Sequence, residues 1–191
     1  MPKQTSKELI ISAFRDLMEH EDFDSITTSE IINKSGISRA TFYKHFADKY
    51  ELLEFITHVE IINTCFFEVN RSVYDRELEV LRCFGIHRRF YSHAFQSLFF
   101  QEFWLQESIK SNAALLKDTG IVNETETYFT SHALGSSFAV LERLYLQGKL
   151  HLSEDELALY LYRMTNDLVF SALQAQKNSI EPNRNNTRLN S

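Results

Sequence analysis

The chain has 191 residues, a formal net charge of -6 and 43% hydrophobic residues, with only five glycines and two prolines. This apolar content is enough for a real core, and the scarcity of glycine and proline favours long helices over a turn-rich sheet. No apolar run reaches the ~18 residues of a membrane span, no apolar signal-peptide core follows the N-terminus, and the two cysteines lack a paired-motif spacing. We therefore expect an all-α, cytoplasmic protein with reduced thiols.

The first predicted helix covers about residues 7–20, where apolar residues recur at helical spacing. Its apolar face consists of Leu9, Ile10, Ala13, Phe14, Leu17 and Met18. A polar turn at residues 21–25 follows, with Phe23 folded inward. We expect this helix to support the two helices that come next.

Residues 27–49 read as a helix, a tight turn and a second helix. Gly36 ends the first helix because glycine adopts the left-handed conformation that other residues avoid. Capping signals flank this glycine on both sides, at Thr27 with Glu30, at Ser38, and at Asp48 with Glu51. Three short helices around one glycine turn are typical of a helix-turn-helix module.

The second helix of this module, at about residues 39–46, has the side chains that DNA recognition requires. Arg39, Ala40 and Thr41 occupy its first turn, where arginine can bind guanine and small apolar groups can meet the thymine methyl. The buried face is predicted to hold Phe42 and Phe46. Off that face lie groups that can donate to phosphate oxygens, namely Tyr43, Lys44 and His45, with Lys49 at the head of the next helix.

Charge supports this reading locally. Residues 34–49 contain four basic side chains and one acidic side chain, a net charge of +3 within a chain of net charge -6. We therefore expect one cationic face for DNA rather than a basic domain. A core helical hairpin with merely solvated charges is the alternative.

The run at residues 36–53, GISRATFYKHFADKYELL, resembles the signature of the TetR/AcrR family of bacterial transcription regulators, and the similarity extends over residues 6–55. The resemblance implies a homodimer, an all-helical ligand-binding region and release from operator DNA when a small-molecule effector binds. It assigns base contacts to Arg39, Ala40, Thr41 and Tyr43, and phosphate contacts to Thr28, Tyr43, His45 and Lys49. Together with the reading of the residues, the predicted DNA-binding set is Thr28, Ser38, Arg39, Ala40, Thr41, Tyr43, Lys44, His45 and Lys49.

The remainder of the chain predicts a second, helical part. We expect a DNA-binding domain at residues 1–50, an effector-binding and dimerisation domain at residues 51–178, and a disordered tail at residues 179–191. A long helix from residue 48 to about residue 67 is predicted to join the two domains as a rigid rod. Helices at about residues 76–90 and 91–116 follow, with a break near Ser92 or Ser97.

Aromatic residues are dense in this region and suit a planar apolar effector, although burial in the core is the alternative for each of them. The predicted effector-binding residues are Phe66, Phe84, His87, Tyr91, Phe95, Phe99, Phe103, Trp104 and Tyr128. A separate hypothesis is a metal such as zinc, although neither the spacing nor the residue types are diagnostic. Its ligands would be His58, Cys65, Glu68 and His87. We therefore predict neither a cofactor nor a metal site.

The last two predicted helices, at about residues 123–147 and 153–176, are apolar on more than one side and therefore need partners on more than one side. Small residues from Gly135 to Ala139 would let another backbone approach. We predict a four-helix dimer interface formed with a second copy, at Leu134, Phe138, Leu141, Tyr145, Leu161, Met164 and Leu168. The alternative is that both helices are simply the core of a monomer.

These observations predict a dimeric DNA-binding repressor that an effector releases from its operator. A transcriptional activator or protein-interaction module of the same fold, or a metal-responsive sensor, stays open as the alternative. An enzyme is disfavoured, because the sequence offers no nucleophile–base constellation, no phosphate loop and no catalytic carboxylate pair.

Overall fold

The computed structural model describes residues 4–66 and 72–180, and every regular element in these residues is helical. The elements are α1 (Ser6–Met18), α2 (Thr28–Ser35), α3 (Arg39–His45), α4 (Lys49–Thr57), a π-helix (His58–Phe66), α5 (Val73–Ile86), α6 (Arg88–Ala94), α7 (Leu98–Leu116), α8 (Glu124–Leu146) and α9 (Glu154–Ile180). The expected all-α fold is confirmed. The tail predicted at residues 179–191 lies outside the described residues from residue 181 onward.

Local capping explains where the N-terminal helices begin and end. The Thr27 hydroxyl accepts from the Glu30 amide at 3.2 Å and the Glu30 carboxylate accepts from the Thr27 amide at 2.7 Å, which is the predicted capping box. Thr5 and Glu8 form a second capping box at the head of α1, which the sequence reading missed. Gly36 ends α2 at φ 68°, in the left-handed region.

The N-terminal core forms where α1, α2 and α3 meet. Its side chains are fully or almost fully buried and include Ile10, Phe14, Phe23, Ile31, Phe42 and Phe46. Burial of side chains of this size is worth roughly 1.5–3 kcal/mol each. Because Phe42 and Phe46 occupy the inner face of α3, its opposite face is left for solvent.

Two aromatic contacts join these N-terminal helices to the rest of the chain. Phe14 of α1 meets Phe90 of α6 edge to face, with ring centroids 5.8 Å apart. Phe99 at the start of α7 lies against both Phe23 and Tyr50, at 6.1 and 4.7 Å. The helix-turn-helix unit therefore rests on α6 and α7 as well as on the connecting helix.

The predicted connecting helix is confirmed from Lys49 to Phe66, but it changes type along its length. It starts as α4 and continues as a π-helix from His58 to Phe66. A π-helix bonds i to i+5 and is rare, and the Thr64 hydroxyl follows the same offset by donating to the Val59 carbonyl at 3.3 Å. The predicted continuation to residue 67 and beyond lies outside the described residues.

Two breaks divide the chain between α5 and α7. The predicted break near Ser97 is confirmed, because Ser97 is the N-cap of α7. The predicted continuous helix over residues 76–90 is wrong, because His87 leaves the helical conformation at φ -112° and ψ 38° and separates α5 from α6. A short α6 thereby forms between the breaks and reaches α1.

Close packing of α7 on α8 depends on Gly135. A Cβ atom at this position would lie 2.7 Å from backbone atoms of Ile109. The sequence reading reserved these small residues for the approach of a second chain, but at Gly135 the approaching backbone is α7 of the same chain.

The interior of the C-terminal helices contains a buried polar cluster. The Trp104 indole donates to the Glu142 carboxylate at 2.7 Å, and the Arg76 guanidinium donates to Glu77 at 2.7 Å. All four side chains are almost completely buried. Burial, followed by the proximity of Glu77, raises the pKa of Glu142 well above its ordinary value. A protonated Glu142 leaves one positive and one negative charge in the cluster.

Within residues 4–66 and 72–180, no helix combines the length and the apolar character needed to cross a membrane.

Candidate nucleic-acid interface

The exposed face of α3 presents most of the side chains predicted to contact DNA. Arg39, Ala40 and Lys44 are exposed, and Tyr43 is 48% exposed. The helix begins at Ser38, whose hydroxyl accepts from the Thr41 amide at 3.1 Å and lies 2.8 Å from the Thr41 hydroxyl. The first turn of α3 is therefore capped and points its side chains outward, as the N-terminal turn of a recognition helix does.

Arg39 is oriented by two neighbours on this face. Its guanidinium donates to the Ser29 hydroxyl at 2.9 Å and to the Tyr43 hydroxyl at 3.4 Å. Ser29 belongs to α2, so the first contact crosses the turn between the two helices. Sequence reasoning did not select Ser29, although its position in the first turn of α2 beside the predicted Thr28 was an available signal.

Lys49 does not fit its predicted role as a phosphate contact. Its side chain is only 8% exposed, and its ammonium donates to the carbonyl oxygens of Phe23, Asp24 and Ile26 at 2.8, 3.3 and 2.7 Å. It also lies over the Phe23 ring at 4.4 Å. All three ammonium protons have acceptors within the protein, so Lys49 stabilises the turn before α2 instead of facing DNA.

The cationic face is consequently smaller than the predicted +3. Lys34 forms an ion pair with Asp16 of α1, and Lys49 is buried. Besides Lys34, which Asp16 neutralises, the exposed cations of residues 34–49 are Arg39 and Lys44, with Thr28, Thr41 and His45 partly exposed around them. We therefore expect weaker long-range electrostatic attraction to DNA than the sequence predicted. Short-range contacts should contribute a larger share of the binding free energy.

Four of the predicted effector-binding residues form a packed aromatic core. Phe84, Tyr91, Phe95 and Trp104 are at most 1% exposed. Phe84 contacts each of the other three edge to face, at 4.9, 5.9 and 5.1 Å between ring centroids. These four residues are therefore part of the core, which was the alternative to an effector-binding role.

The other predicted effector-binding residues do not line one common site. Phe99 contacts the N-terminal helices, Phe103 lies beside His58 at 5.7 Å, and His87 faces Arg15. Tyr128 is 56% exposed and lies over His132. The side chain of Phe66 lies outside the described residues.

A cleft of about 430 Å³ opens between α7 and α8 instead. Its walls are mostly apolar, with one cationic and one anionic side chain, and its lining residues are Phe95, Leu98, Gln101, Glu102, Leu105, Ser136, Ala139, Val140 and Arg143. Phe95 alone belongs to the predicted effector set. Leu98, the first residue of α7, lines this cleft and is 80% exposed, which no sequence pattern predicted.

The zinc hypothesis finds no support in the geometry. Among the described residues, no three His, Cys, Asp or Glu side chains are grouped so as to hold a metal ion. His58 and His87 lie in separate contacts, and Glu68 lies outside the described residues.

The seven residues predicted to form the dimer interface face the interior of their own chain. Leu134, Phe138, Tyr145 and Leu161 are buried, and the remaining three, Leu141, Met164 and Leu168, are partly buried against the core. The expectation that these helices are apolar on several sides does hold for α9, because Leu159, Tyr162 and Phe170 are exposed. The sequence predicted partners on more than one side of these helices, but the residues it selected for the partner chain are those that face the core.

A polar junction that sequence reasoning missed connects α1 to the C-terminal helices. Arg15 of α1 forms an ion pair with Glu60 of the π-helix and lies 3.3 Å from the His87 ring. The Tyr91 hydroxyl donates to the same Glu60 carboxylate at 2.8 Å. Burial, followed by the charge of Arg15, lowers the pKa of His87. No motif predicts this junction, because its members are far apart in sequence.

Comparisons with known proteins agree with this geometry. Residues 10–56 match the family described as bacterial regulatory proteins, tetR family. The chain is 48% identical over 50 residues to the HTH-type transcriptional regulator YxbF of Bacillus subtilis, covering 26% of this chain and 13% of that protein. It is 36% identical over 61 residues to the dhaKLM operon transcriptional activator DhaS of Lactococcus lactis, covering 30% and 33%. Both matches thus span less than two thirds of the relative's own length.

Solved structures resemble the chain over most of its length. The dihydroxyacetone kinase operon activator DhaS matches with a TM-score of 0.59 at 20% identity, over 90% of this chain and 96% of that one. NalD of Pseudomonas aeruginosa, the secondary repressor of the MexAB-OprM multidrug efflux pump, matches with a TM-score of 0.63 at 18% identity, over 85% and 95%. At these identities the likeness concerns the fold.

The capped glycine turn, the exposed α3 face and the buried Phe42 and Phe46 define a helix-turn-helix DNA-binding fold. Residues 10–56 match the tetR family of bacterial regulatory proteins, and the described chain shares its overall fold with NalD.

Proposed function

We propose that this protein is a sequence-specific DNA-binding regulator of transcription whose α3 helix enters the major groove. The observation that carries the proposal is the outward face of α3, where Arg39 is held by Ser29 and Tyr43 beside exposed Ala40 and Lys44. In the complex with DNA, Arg39 would give up its contacts with Ser29 and Tyr43 and bind the edge of a guanine base. Thr28, Ser38, Thr41 and His45 surround it as further contacts.

The proposed domain division places DNA binding in residues 1–50 and effector binding and dimerisation in residues 51–178. For the effector, the cleft between α7 and α8 is favoured over the packed aromatic core, because it already has open volume within the range of small-molecule sites. Arg143 and Glu102 would supply its charged groups.

Dimerisation is part of the proposal because an operator dimer places two recognition helices one helical turn apart on DNA. The favoured surface is the outward side of α8 and α9. These helices are antiparallel, with Gln176 bonded to the Val122 amide at one end and Glu154 to Tyr145 at the other. This register puts Phe129 level with Phe170 and Val140 level with Leu159, and all four are exposed.

Repression is the proposed direction of regulation, since a dimer bound to an operator obstructs transcription unless an effector releases it. Activation is the second candidate. It is favoured by the match to DhaS, an operon activator that resembles this chain in both sequence and fold. Transcript levels with and without the gene separate the two: higher transcription of the target in the deletion strain supports repression, and lower transcription supports activation.

DNA binding is tested by selecting bound sequences from a random duplex library and measuring affinity for the selected site. Arg39→Ala is expected to weaken the selected site by about 1–3 kcal/mol and to relax base choice at one position. Arg82→Ala, an exposed arginine of α5, is the matched control and should leave affinity unchanged. Failure to enrich any sequence, or equal losses for both variants, would overturn the proposal.

Light scattering tests the dimer surface. We expect a dimer at micromolar concentration and a shift towards monomer for Phe170→Ser, with Ile86→Ser, an exposed apolar residue of α5, as the control outside the proposed surface. A monomeric wild-type protein would contradict the dimer while leaving DNA contacts by α3 open to direct measurement.

A further inference from the structure

The two cysteines of the chain lie together beside the junction between the N-terminal and C-terminal helices. Cys65 is in the π-helix and is 1% exposed, whereas Cys83 is in α5 and is partly exposed. The Cys83 thiol donates to the Glu60 carbonyl at 3.8 Å, and Glu60 precedes Cys65 by five residues, the bonding interval of the π-helix that contains both. A hydrogen bond with Cys65 lowers the pKa of the Cys83 thiol. Both cysteines are in the thiol form.

We propose that Cys65 and Cys83 form a redox-responsive dithiol that hydrogen peroxide closes into an intramolecular disulfide. The π-helix and α5 already pack against each other at this point, so closure requires the two sulfurs to approach to the ~2 Å of a disulfide bond. The spacing of the two cysteines in the sequence does not predict that they pair. In the structure they lie away from the side chains proposed to contact DNA.

The chemistry assigns a different role to each thiol. Cys83 is the attacking group, because it is the more exposed and because the hydrogen bond from Cys65 lowers the pKa of its thiol against the opposing effect of burial. Its thiolate attacks one peroxide oxygen, the O–O bond breaks, and Cys83 becomes a sulfenic acid as one water forms. The Cys65 sulfur then attacks the Cys83 sulfur and expels a second water. Two thiols and one peroxide thus give one disulfide and two waters.

The disulfide would alter the polar junction directly. Oxidation removes the proton that Cys83 donates to the Glu60 carbonyl, and the side chain of Glu60 holds Arg15 of α1 and the Tyr91 hydroxyl. It also ties the π-helix to α5. A change in the oxidation state of the dithiol would therefore act on Glu60, which connects Arg15 of α1 to Tyr91 of α6.

Intact-mass and peptide-mass measurements on the full chain test the dithiol. Reduced protein is treated with hydrogen peroxide, and the remaining thiols are then alkylated in denaturant. We expect loss of two hydrogens, no alkylation, a Cys65–Cys83 linked peptide and reversal by dithiothreitol. Closure should be about tenfold or more faster in folded protein than in urea, because folding keeps the two cysteines next to each other. Disulfides between chains, or equal rates in both states, would overturn the proposal.

Single variants test the order of attack. In Cys65→Ser, a sulfenic acid should accumulate at Cys83 and be trapped by dimedone, whereas Cys83→Ser should label far more slowly at the buried Cys65. Faster labelling of Cys65 would overturn the assigned roles. These readouts do not depend on DNA, so failure of the proposed function leaves them intact.

The regulatory consequence rests on the proposed function and is measured separately. Peroxide should change the affinity of wild-type protein for its selected DNA site several-fold and leave that of Cys83→Ser unchanged. Equal affinities of oxidised and reduced wild-type protein would reject this regulation.

Discussion

The ammonium of Lys49 lies 2.7 Å from the carbonyl oxygen of Ile26. Two further carbonyls, from Phe23 and Asp24, complete its set of acceptors. This one side chain therefore holds the turn between α1 and α2 against the head of α4. A lysine at the head of a helix looked like a phosphate contact in the sequence, but its protons are used inside the protein.

The first prediction follows from this contact. Lys49→Met should lower the free energy of unfolding by about 2–3 kcal/mol, because three carbonyl oxygens lose a charged donor in a buried site. Lys44→Met, at an exposed position of α3, should change it by less than about 0.5 kcal/mol. Urea titration of both variants measures the difference. Equal stability of Lys49→Met and wild type would show that the turn does not need the ammonium.

The second prediction separates the two lysines by their effect on DNA. Lys44→Ala should weaken binding to all sequences similarly and reduce the slope of log affinity against log salt by about 1, since one phosphate contact is lost. Lys49→Met, measured below its unfolding transition, should leave that slope unchanged. Anisotropy titrations at several salt concentrations check both. A reduced slope for Lys49→Met would show that Lys49 does contact a DNA phosphate.

Local signals predicted the N-terminal helices well. Thr27 with Glu30, Gly36 and Ser38 each act within four residues of their own position, so the sequence holds the information that places them. The outward residues of α3 followed because Phe42 and Phe46 fixed its inner face. Lys49 was misjudged since its partners are 23 to 26 residues away and are backbone carbonyls, which no side-chain pattern records.

The sequence predicted where most of the C-terminal helices lie, but not which side of each helix packs against the core. In α9 both sides are apolar, so the pattern could not decide whether Leu161 or Phe170 meets the core; the first is buried and the second is exposed. Aromatic density likewise could not distinguish a packed core from a pocket. His87 ends α5 through its own backbone conformation; the nearby Gly85 still lies inside the helix, and no proline follows to mark the break.

The third prediction concerns the contact of α7 with α8. Gly135→Ala should lower the free energy of unfolding by about 1–3 kcal/mol, because the new methyl group would lie 2.7 Å from the backbone of Ile109 and neither helix can yield by moving a side chain alone. Ser136→Ala, next along the same helix and exposed, is the control and should be nearly neutral. Thermal unfolding of the two variants, compared with wild type, measures the effect. A Gly135→Ala protein as stable as Ser136→Ala would mean that α7 and α8 do not pack this closely.

The last prediction concerns the pH dependence that Glu142 creates. Burial and the nearby Glu77 raise the pKa of Glu142 in the folded protein well above the ordinary 4.5. Between the two values the folded state binds a proton that the unfolded state lacks, so the free energy of unfolding should fall as the pH rises from about 4.5 through the raised pKa. The stabilisation is fully present below the ordinary pKa and is lost above the folded one.

Glu142→Gln should remove this part of the pH dependence. Glutamine cannot ionise, yet its carbonyl oxygen can still accept the Trp104 indole proton that Glu142 accepts at 2.7 Å. Its stability relative to wild type should therefore increase with pH across that window. Glu102→Gln, at an exposed position of α7, should keep the wild-type slope. Denaturant unfolding at a series of pH values compares the three proteins. Parallel curves for wild type and Glu142→Gln would mean that Glu142 is charged in the folded protein, in which case Arg76 would have to balance two buried carboxylates.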